Sequence, residues 1–62
     1  MTPDEAVNAI HFGNTVKCTA EEWPTIRTAI QDAAGKYIDN GDPMRAQIAL
    51  MEVQRLDALF DQ

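Results

Sequence analysis

His11 and Cys18 are the two residues of this 62-residue chain whose types could most readily do catalytic chemistry. An imidazole can take the proton of a thiol, and the resulting thiolate is a nucleophile. Such a pair needs hydrogen-bond contact and a third group that orients the base, within a pocket that a chain this short can hardly enclose. We therefore expect His11 on the rim of the fold, Cys18 as a small buried side chain, and no enzymatic activity.

The run from Asp39 to Asp42 places oxygen-bearing side chains around Gly41 and could bind a cation. Calcium-binding helix–loop–helix loops carry glycine at their sixth position and carboxylates at the first and twelfth. Those outer positions would here fall on Lys36 and Gln47, which have no carboxylate. A zinc cluster also lacks ligands, because the chain has one cysteine and one histidine. The sequence predicts no metal and no cofactor, and we interpret the run as helix-capping chemistry.

This run separates two predicted helices. Gly41 can adopt the left-handed conformation that ends a helix, Asp42 can cap the next one, and Pro43 can open it. Apolar residues at helical spacing predict one helix from residue 20 to about residue 38 and another from residue 43 to residue 60. So short a connection makes the two helices antiparallel neighbours. The first of them has a single apolar face, formed by Trp23, Ile26, Ile30, Ala33, Ala34 and Tyr37.

The N-terminal residues predict a third, shorter helix. Thr2 and Glu5 have the spacing of a capping box, Pro3 fits the first helical position, and Gly13 with Asn14 can end the helix. Residues 15–18 would then form a brief extended segment. Alternatively, residues 10–12 and 15–18 form a small hairpin around Gly13 and Asn14. We favour the helix, since an isolated hairpin is only marginally stable.

The last predicted helix has two apolar faces. One is expected to pack against the preceding helix and consists of Ala46, Ala49, Leu50, Val53, Leu56 and Phe60. The other gathers Met44, Ile48, Met51, Ala58 and Leu59 near the opposite side. The N-terminal helix has too few apolar side chains to hide all of a helix about 27 Å long. We therefore predict an interface formed by Met44, Ile48, Met51, Arg55 and Leu59.

The length of the chain also favours association. A domain of this size commonly needs a disulfide, a metal or a partner subunit to be stable. The single cysteine cannot form an internal disulfide and is compatible with a reducing cytoplasm. We expect a mainly α, single small domain spanning residues 1–62, with a short N-terminal helix, a brief extended segment and an antiparallel helical hairpin, assembled as a homo-oligomer.

The charge of the chain limits its partners. A formal net charge of −5 disfavours binding to nucleic acid or to an anionic membrane surface, because both require clustered lysine and arginine. The N-terminus has no signal-peptide pattern, and no apolar run approaches the roughly 20 residues that span a bilayer. We expect a cytoplasmic protein that contacts neither membrane nor nucleic acid.

These observations predict a small acidic protein-interaction module, a homo-oligomer such as a dimer, that binds and modulates or inhibits a larger protein. Inhibitors that phages direct against host proteins share this general character. One alternative is an inhibitor that imitates nucleic-acid phosphates, which would need Asp32, Asp39, Asp42, Glu52, Asp57 and Asp61 on one face. Another is an oligomer that sequesters a small ligand between its subunits.

Overall fold

Three α-helices make up the fold in the computed structural model, which describes residues 1–61. Helix α1 spans Pro3–His11, α2 spans Trp23–Asp39 and α3 spans Pro43–Phe60. Helices α2 and α3 pack closely as a hairpin, and α1 lies mainly against α2. The described residues contain no β-strand. The prediction of a mainly helical chain is therefore confirmed, and the alternative hairpin within residues 10–18 is wrong.

Both ends of α1 follow from local chemistry. The hydroxyl of Thr2 accepts a hydrogen bond from the Glu5 N–H at 3.2 Å, and the Glu5 carboxylate accepts one from the Thr2 N–H at 2.9 Å. Gly13 ends the helix with φ of 74°, which allows the Asn14 N–H to reach back to the Ala9 carbonyl oxygen at 2.7 Å. These bonds satisfy backbone groups that a helix end leaves free.

Helix α2 begins three residues later than the sequence predicts. Thr19 and Glu22 form a reciprocal pair of hydrogen bonds, like that of Thr2 and Glu5, with the Glu22 carboxylate accepting from the Thr19 N–H at 2.9 Å. They shape a turn, and regular helix starts at Trp23. The reason is Pro24, which has no N–H to donate to the carbonyl oxygen of Ala20.

The connection between α2 and α3 has the predicted capping chemistry. Gly41 adopts φ of 75° and ends α2, and the side chain of Asp42 accepts a hydrogen bond from the Arg45 N–H at 3.2 Å. Pro43 occupies the first position of α3. Because the connection is short, α3 must turn back along α2.

The core lies where the three helices meet and includes one residue of the irregular segment before α2. Leu50 was predicted to be buried, but its side chain is 46% exposed. Leu50 is turned by about 100° around the axis of α3 from buried Ala49. Its side chain therefore lies outside the contact between α3 and α2. The main buried cluster consists of Ala6, Ile10, Val16, Trp23, Ile26, Ile30, Ala34, Ala49, Val53 and Leu56.

Within residues 1–61, none of the helices combines the length and the apolar character needed to cross a lipid bilayer.

Candidate interaction surface

The residues predicted to form an interface lie along the side of α3 that faces away from buried Ala49 and Val53. We call this set the outer stripe; it consists of Met44, Ile48, Met51, Arg55 and Leu59. Three of its apolar side chains are largely open to solvent, with Met44 74% exposed, Met51 59% and Leu59 57%. Ile48 is half-buried and packs against the core. The structure thus places all five residues together and leaves most of their apolar surface uncovered.

Phe12 adds a large apolar side chain to this surface that the interface prediction did not include. It caps the C-terminus of α1 and is 74% exposed. Helical spacing could have predicted that Phe12 is exposed, because Phe12 is turned by about 200° around the helix axis from Ile10, which is fully buried. An apolar residue two positions after the last core residue of a helix therefore points away from the core.

A groove runs between residues 12–15 and α3. It consists of two adjoining hollows of about 460 Å³ and 260 Å³, which share Gly13 and Ile48 in their walls. Met44 lies in the wall of the first hollow and Met51 in that of the second. We call this feature the loop–α3 groove. Leu59 lines neither hollow, so the groove extends along the outer stripe only from Met44 to Arg55.

Two charged side chains of α3 hold the loop that forms one wall of the groove. The Glu52 carboxylate accepts a hydrogen bond from the Val16 N–H at 3.0 Å, and Arg55 Nη2 donates to the Val16 carbonyl oxygen at 2.7 Å. Glu52 and Arg55 also form an ion pair with each other. Both backbone groups of Val16 are satisfied in this way while its side chain is buried in the core. Arg55, predicted as an interface residue, therefore also has a role within the fold.

Arg45 performs a similar task at the other end of the groove. Its Nε donates to the carbonyl oxygen of His11 at 3.1 Å, and its Nη1 donates to the Asp42 carboxylate at 2.6 Å. The hydrogen bonds from Arg45 hold the pKa of Asp42 below its ordinary value. Arg45 thereby ties the end of α1 to the beginning of α3.

His11 and Cys18 have different surroundings in the structure. The His11 ring stacks on Tyr37 with centroids 6.5 Å apart and meets Phe12 edge-on at 5.1 Å. Cys18 is partly buried, and burial raises the pKa of its thiol. No hydrogen bond joins the two residues in the described part of the chain. Over the same residues, His, Cys, Asp and Glu do not form any group of three or more that could hold a metal ion.

Trp23 belongs to the core, as its position on the α2 stripe predicts. It is 6% exposed, and its indole Nε1 donates a hydrogen bond to Asp57 at 2.9 Å. Arg27 donates to the same carboxylate at 3.0 Å. The polar edge of Trp23 is thus occupied inside the fold, and Trp23 is not part of the exposed apolar surface.

The outer stripe and Phe12 together carry four of the seven exposed large apolar side chains in residues 1–61; the other three are Met1, Ile38 and Leu50. No protein-family model, no curated protein and no solved structure matches the chain.

Proposed function

We propose that this chain is a small protein-interaction module that forms a homodimer and binds, and so modulates or inhibits, a larger protein. The observation that supports this function most strongly is the exposure of Met44, Met51 and Leu59 on one side of α3. Soluble monomers rarely leave large contiguous apolar patches in water, and such patches are typical of interaction sites. Methionine suits this role, because its flexible side chain adapts to different partner surfaces.

The position of α1 supports the proposal. This helix directs Ala6 and Ile10 into the core and has its main contact with α2. Its contact with α3 is smaller and includes the hydrogen bond from Arg45 to the His11 carbonyl oxygen at the C-terminal end of α1. Met51 and Leu59, further along α3, remain exposed and available to another molecule.

The distribution of carboxylates favours an interaction module over a mimic of nucleic-acid phosphates. Of the six carboxylates that such a mimic would present, Asp42, Glu52 and Asp57 each pair with an arginine of the same chain. A paired carboxylate is a poor substitute for a phosphate, because its charge is already compensated.

Sedimentation equilibrium at micromolar concentration tests self-association. We expect the wild-type chain to be dimeric and Met51→Asp to be monomeric and still helical, because a charge in an apolar contact has no partner there. Gln31→Asp is the matched control, since it adds the same charge at an exposed position of α2. A monomeric wild-type chain whose thermal midpoint does not change on dilution would contradict the proposal.

Affinity capture with the same three proteins tests the binding of a larger protein. We expect wild type and Gln31→Asp to retain one dominant protein and Met51→Asp to lose it. Docking through apolar side chains should also persist when the salt concentration is raised, whereas binding by charge alone should weaken steeply. Retention of the same protein by Met51→Asp would place the binding surface elsewhere.

A further inference from the structure

Asn40 and Gly41, in the connection between α2 and α3, are a pair of residues that can react with each other. The Gly41 nitrogen forms a bond to Cγ of Asn40 as the bond from Cγ to the side-chain nitrogen breaks. The side-chain nitrogen leaves as ammonia and takes the proton of the Gly41 N–H. Water then opens the succinimide ring at one of its two carbonyls, which leaves aspartate or isoaspartate at position 40. Glycine favours this attack because no Cβ crowds its nitrogen, and asparagine is accordingly a thermolabile residue.

Solvent reaches both residues. Asn40 and Gly41 are exposed, and even a Cβ added at Gly41 would meet no atom within 4 Å. Packing therefore does not prevent the attack or the entry of water, and the conformation of the backbone decides whether the reaction occurs.

The folded backbone holds the two reacting groups apart. Asn40 has ψ of 6°, so the Gly41 nitrogen is nearly eclipsed with the backbone nitrogen of Asn40. Ring closure requires the Gly41 nitrogen to be eclipsed with Cβ of Asn40 instead, because both atoms belong to the succinimide ring. The Gly41 N–H also donates to the Ile38 carbonyl oxygen at 3.1 Å, and this bond must be lost before the nitrogen can attack.

Rotation about the Cα–C bond of Asn40 would open the whole connection. The Asp42 N–H donates to the Tyr37 carbonyl oxygen at 2.7 Å, and together with the bond from Gly41 to Ile38 it forms the paired bonds that end a helix at a left-handed glycine. Both bonds span Asn40, so they break together when that bond turns. Helix ends open in this way more often than a whole domain unfolds.

We propose that Asn40 is a deamidation site gated by opening of the α2–α3 connection, and that the modification weakens the closed connection. Isoaspartate adds one methylene to the backbone before Gly41 and so destroys the spacing of the paired bonds. Either product also places a new carboxylate between Asp39 and Asp42 at the C-terminus of α2, where the helix dipole disfavours negative charge.

Incubation at neutral pH, followed by mass spectrometry of proteolytic fragments, measures the rate at Asn40. A synthetic peptide of residues 36–45 is the open reference, because so short a chain does not hold a helix in water. We expect the peptide to react at least about tenfold faster than the folded chain. Chromatography should separate isoaspartyl from aspartyl fragments, and both must appear, since direct hydrolysis of the side chain gives aspartate alone.

The other two asparagines are internal controls. Asn8 precedes Ala9 and Asn14 precedes Thr15, and the side chains of alanine and threonine crowd the attacking nitrogen. Both sites should stay unmodified while Asn40 reacts.

Asp42→Ala tests the gate. Asp42 caps α3 by accepting from the Arg45 N–H, so its loss favours the open connection. We expect this variant to react about three- to tenfold faster at Asn40 in the folded chain, whereas the same substitution in the peptide, which has no helix to cap, should change the rate less than about twofold. Glu21→Ala, at an exposed position before α2, should leave the rate unchanged. Circular dichroism checks that each variant is folded.

Asn40→Asp has the sequence of the aspartyl product. We expect its thermal midpoint to lie about 2–6 °C below that of wild type, because the new carboxylate meets the negative end of α2. Chains modified to isoaspartate, separated after incubation, should melt at a still lower temperature.

Equal rates at Asn40 in the folded chain and the peptide would overturn the inference. So would absence of isoaspartate from the reacted peptide, modification of Asn8 or Asn14 before Asn40, or an unchanged rate in folded Asp42→Ala. A thermal midpoint of Asn40→Asp equal to or above that of wild type would equally contradict it. These measurements do not involve the outer stripe, so the proposed function is tested separately by self-association and capture.

Discussion

Arg55 Nη2 lies 2.7 Å from the carbonyl oxygen of Val16, although 39 residues separate them in the sequence. The N–H of Val16 is bound by Glu52, one turn earlier on α3. The loop between α1 and α2 is thereby attached to α3 by two side chains instead of by a neighbouring strand. The same attachment buries Val16 and forms one wall of the groove.

Removal of the Glu52 carboxylate should therefore destabilise the fold. Glu52→Ala leaves the partly buried Val16 N–H without its partner and Arg55 without its ion pair, and we expect a loss of about 1–3 kcal/mol in the free energy of unfolding. Denaturant unfolding followed by circular dichroism measures it. Glu21→Ala, at an exposed position before α2, should change stability by less than about 0.5 kcal/mol. Similar small changes in both variants would mean that the attachment contributes little.

The two faces of α3 should respond differently to the same substitution. Val53 is 6% exposed and Met51 is 59% exposed. Val53→Asp places an unpaired charge in the core and should unfold the chain, whereas Met51→Asp should keep the helices and dissociate the dimer. Circular dichroism combined with light scattering distinguishes these outcomes. If the two effects are exchanged, our assignment of the faces is wrong.

Two glycines should give opposite results when replaced by alanine. Gly35 is an exposed position within α2 where an added Cβ meets no atom within 4 Å. Gly35→Ala should therefore raise the free energy of unfolding by about 0.5–1 kcal/mol. Gly41 also has open space but adopts φ of 75°, so Gly41→Ala should lower stability by about 1–2 kcal/mol. A gain in stability from both variants would contradict the role of Gly41 in ending α2.

Acid should destabilise the protein through carboxylates that are paired in the fold. Hydrogen bonds from Arg27 and Trp23 hold the pKa of Asp57 below its ordinary value of 3.8, and the terminal amino group of Met1 lowers the pKa of Glu22 to about 2. A lowered folded-state pKa contributes stability above the unfolded-state pKa, and that stability is lost as the pH falls through the folded-state value. The denaturant concentration at the midpoint of unfolding should therefore decrease as the pH is lowered from about 4.5 to about 2.

Asp57→Asn tests the share of this acid sensitivity that Asp57 carries. The amide can still accept the Trp23 N–H but does not titrate, so the variant should lose less stability than wild type over the same pH range. An unchanged pH dependence would exclude Asp57 as a contributor.

The thiol of Cys18 should react slowly with disulfide reagents near neutral pH. Burial raises the pKa of this thiol, which reduces the fraction of thiolate, and the thiolate is the reactive form. The rate of reaction should rise when the chain is unfolded in denaturant at the same pH. Equal rates in the folded and unfolded chain would show that Cys18 is not protected by the fold.

The sequence by itself determined the three helices and most of their ends, the start of α2 excepted. Capping side chains form hydrogen bonds with backbone groups two or three residues away, and apolar residues at helical spacing define a face within one or two turns. For this reason the box formed by Thr2 and Glu5, the left-handed Gly41 and the cap by Asp42 could all be predicted from neighbouring residues. The exposed half of α3 followed from the same periodicity.

Only the tertiary structure decided which side chains meet across the connections. Nothing in the sequence near Val16 indicates that Glu52 and Arg55 bind its backbone, and the pairing of Asp57 with Trp23 and Arg27 likewise joins α3 to α2. The exposure of Leu50 and the groove beside Phe12 depend on the angle at which helices cross. Such contacts join residues 30 to 39 positions apart, and their geometry is set by packing of the whole core, which local propensities do not encode.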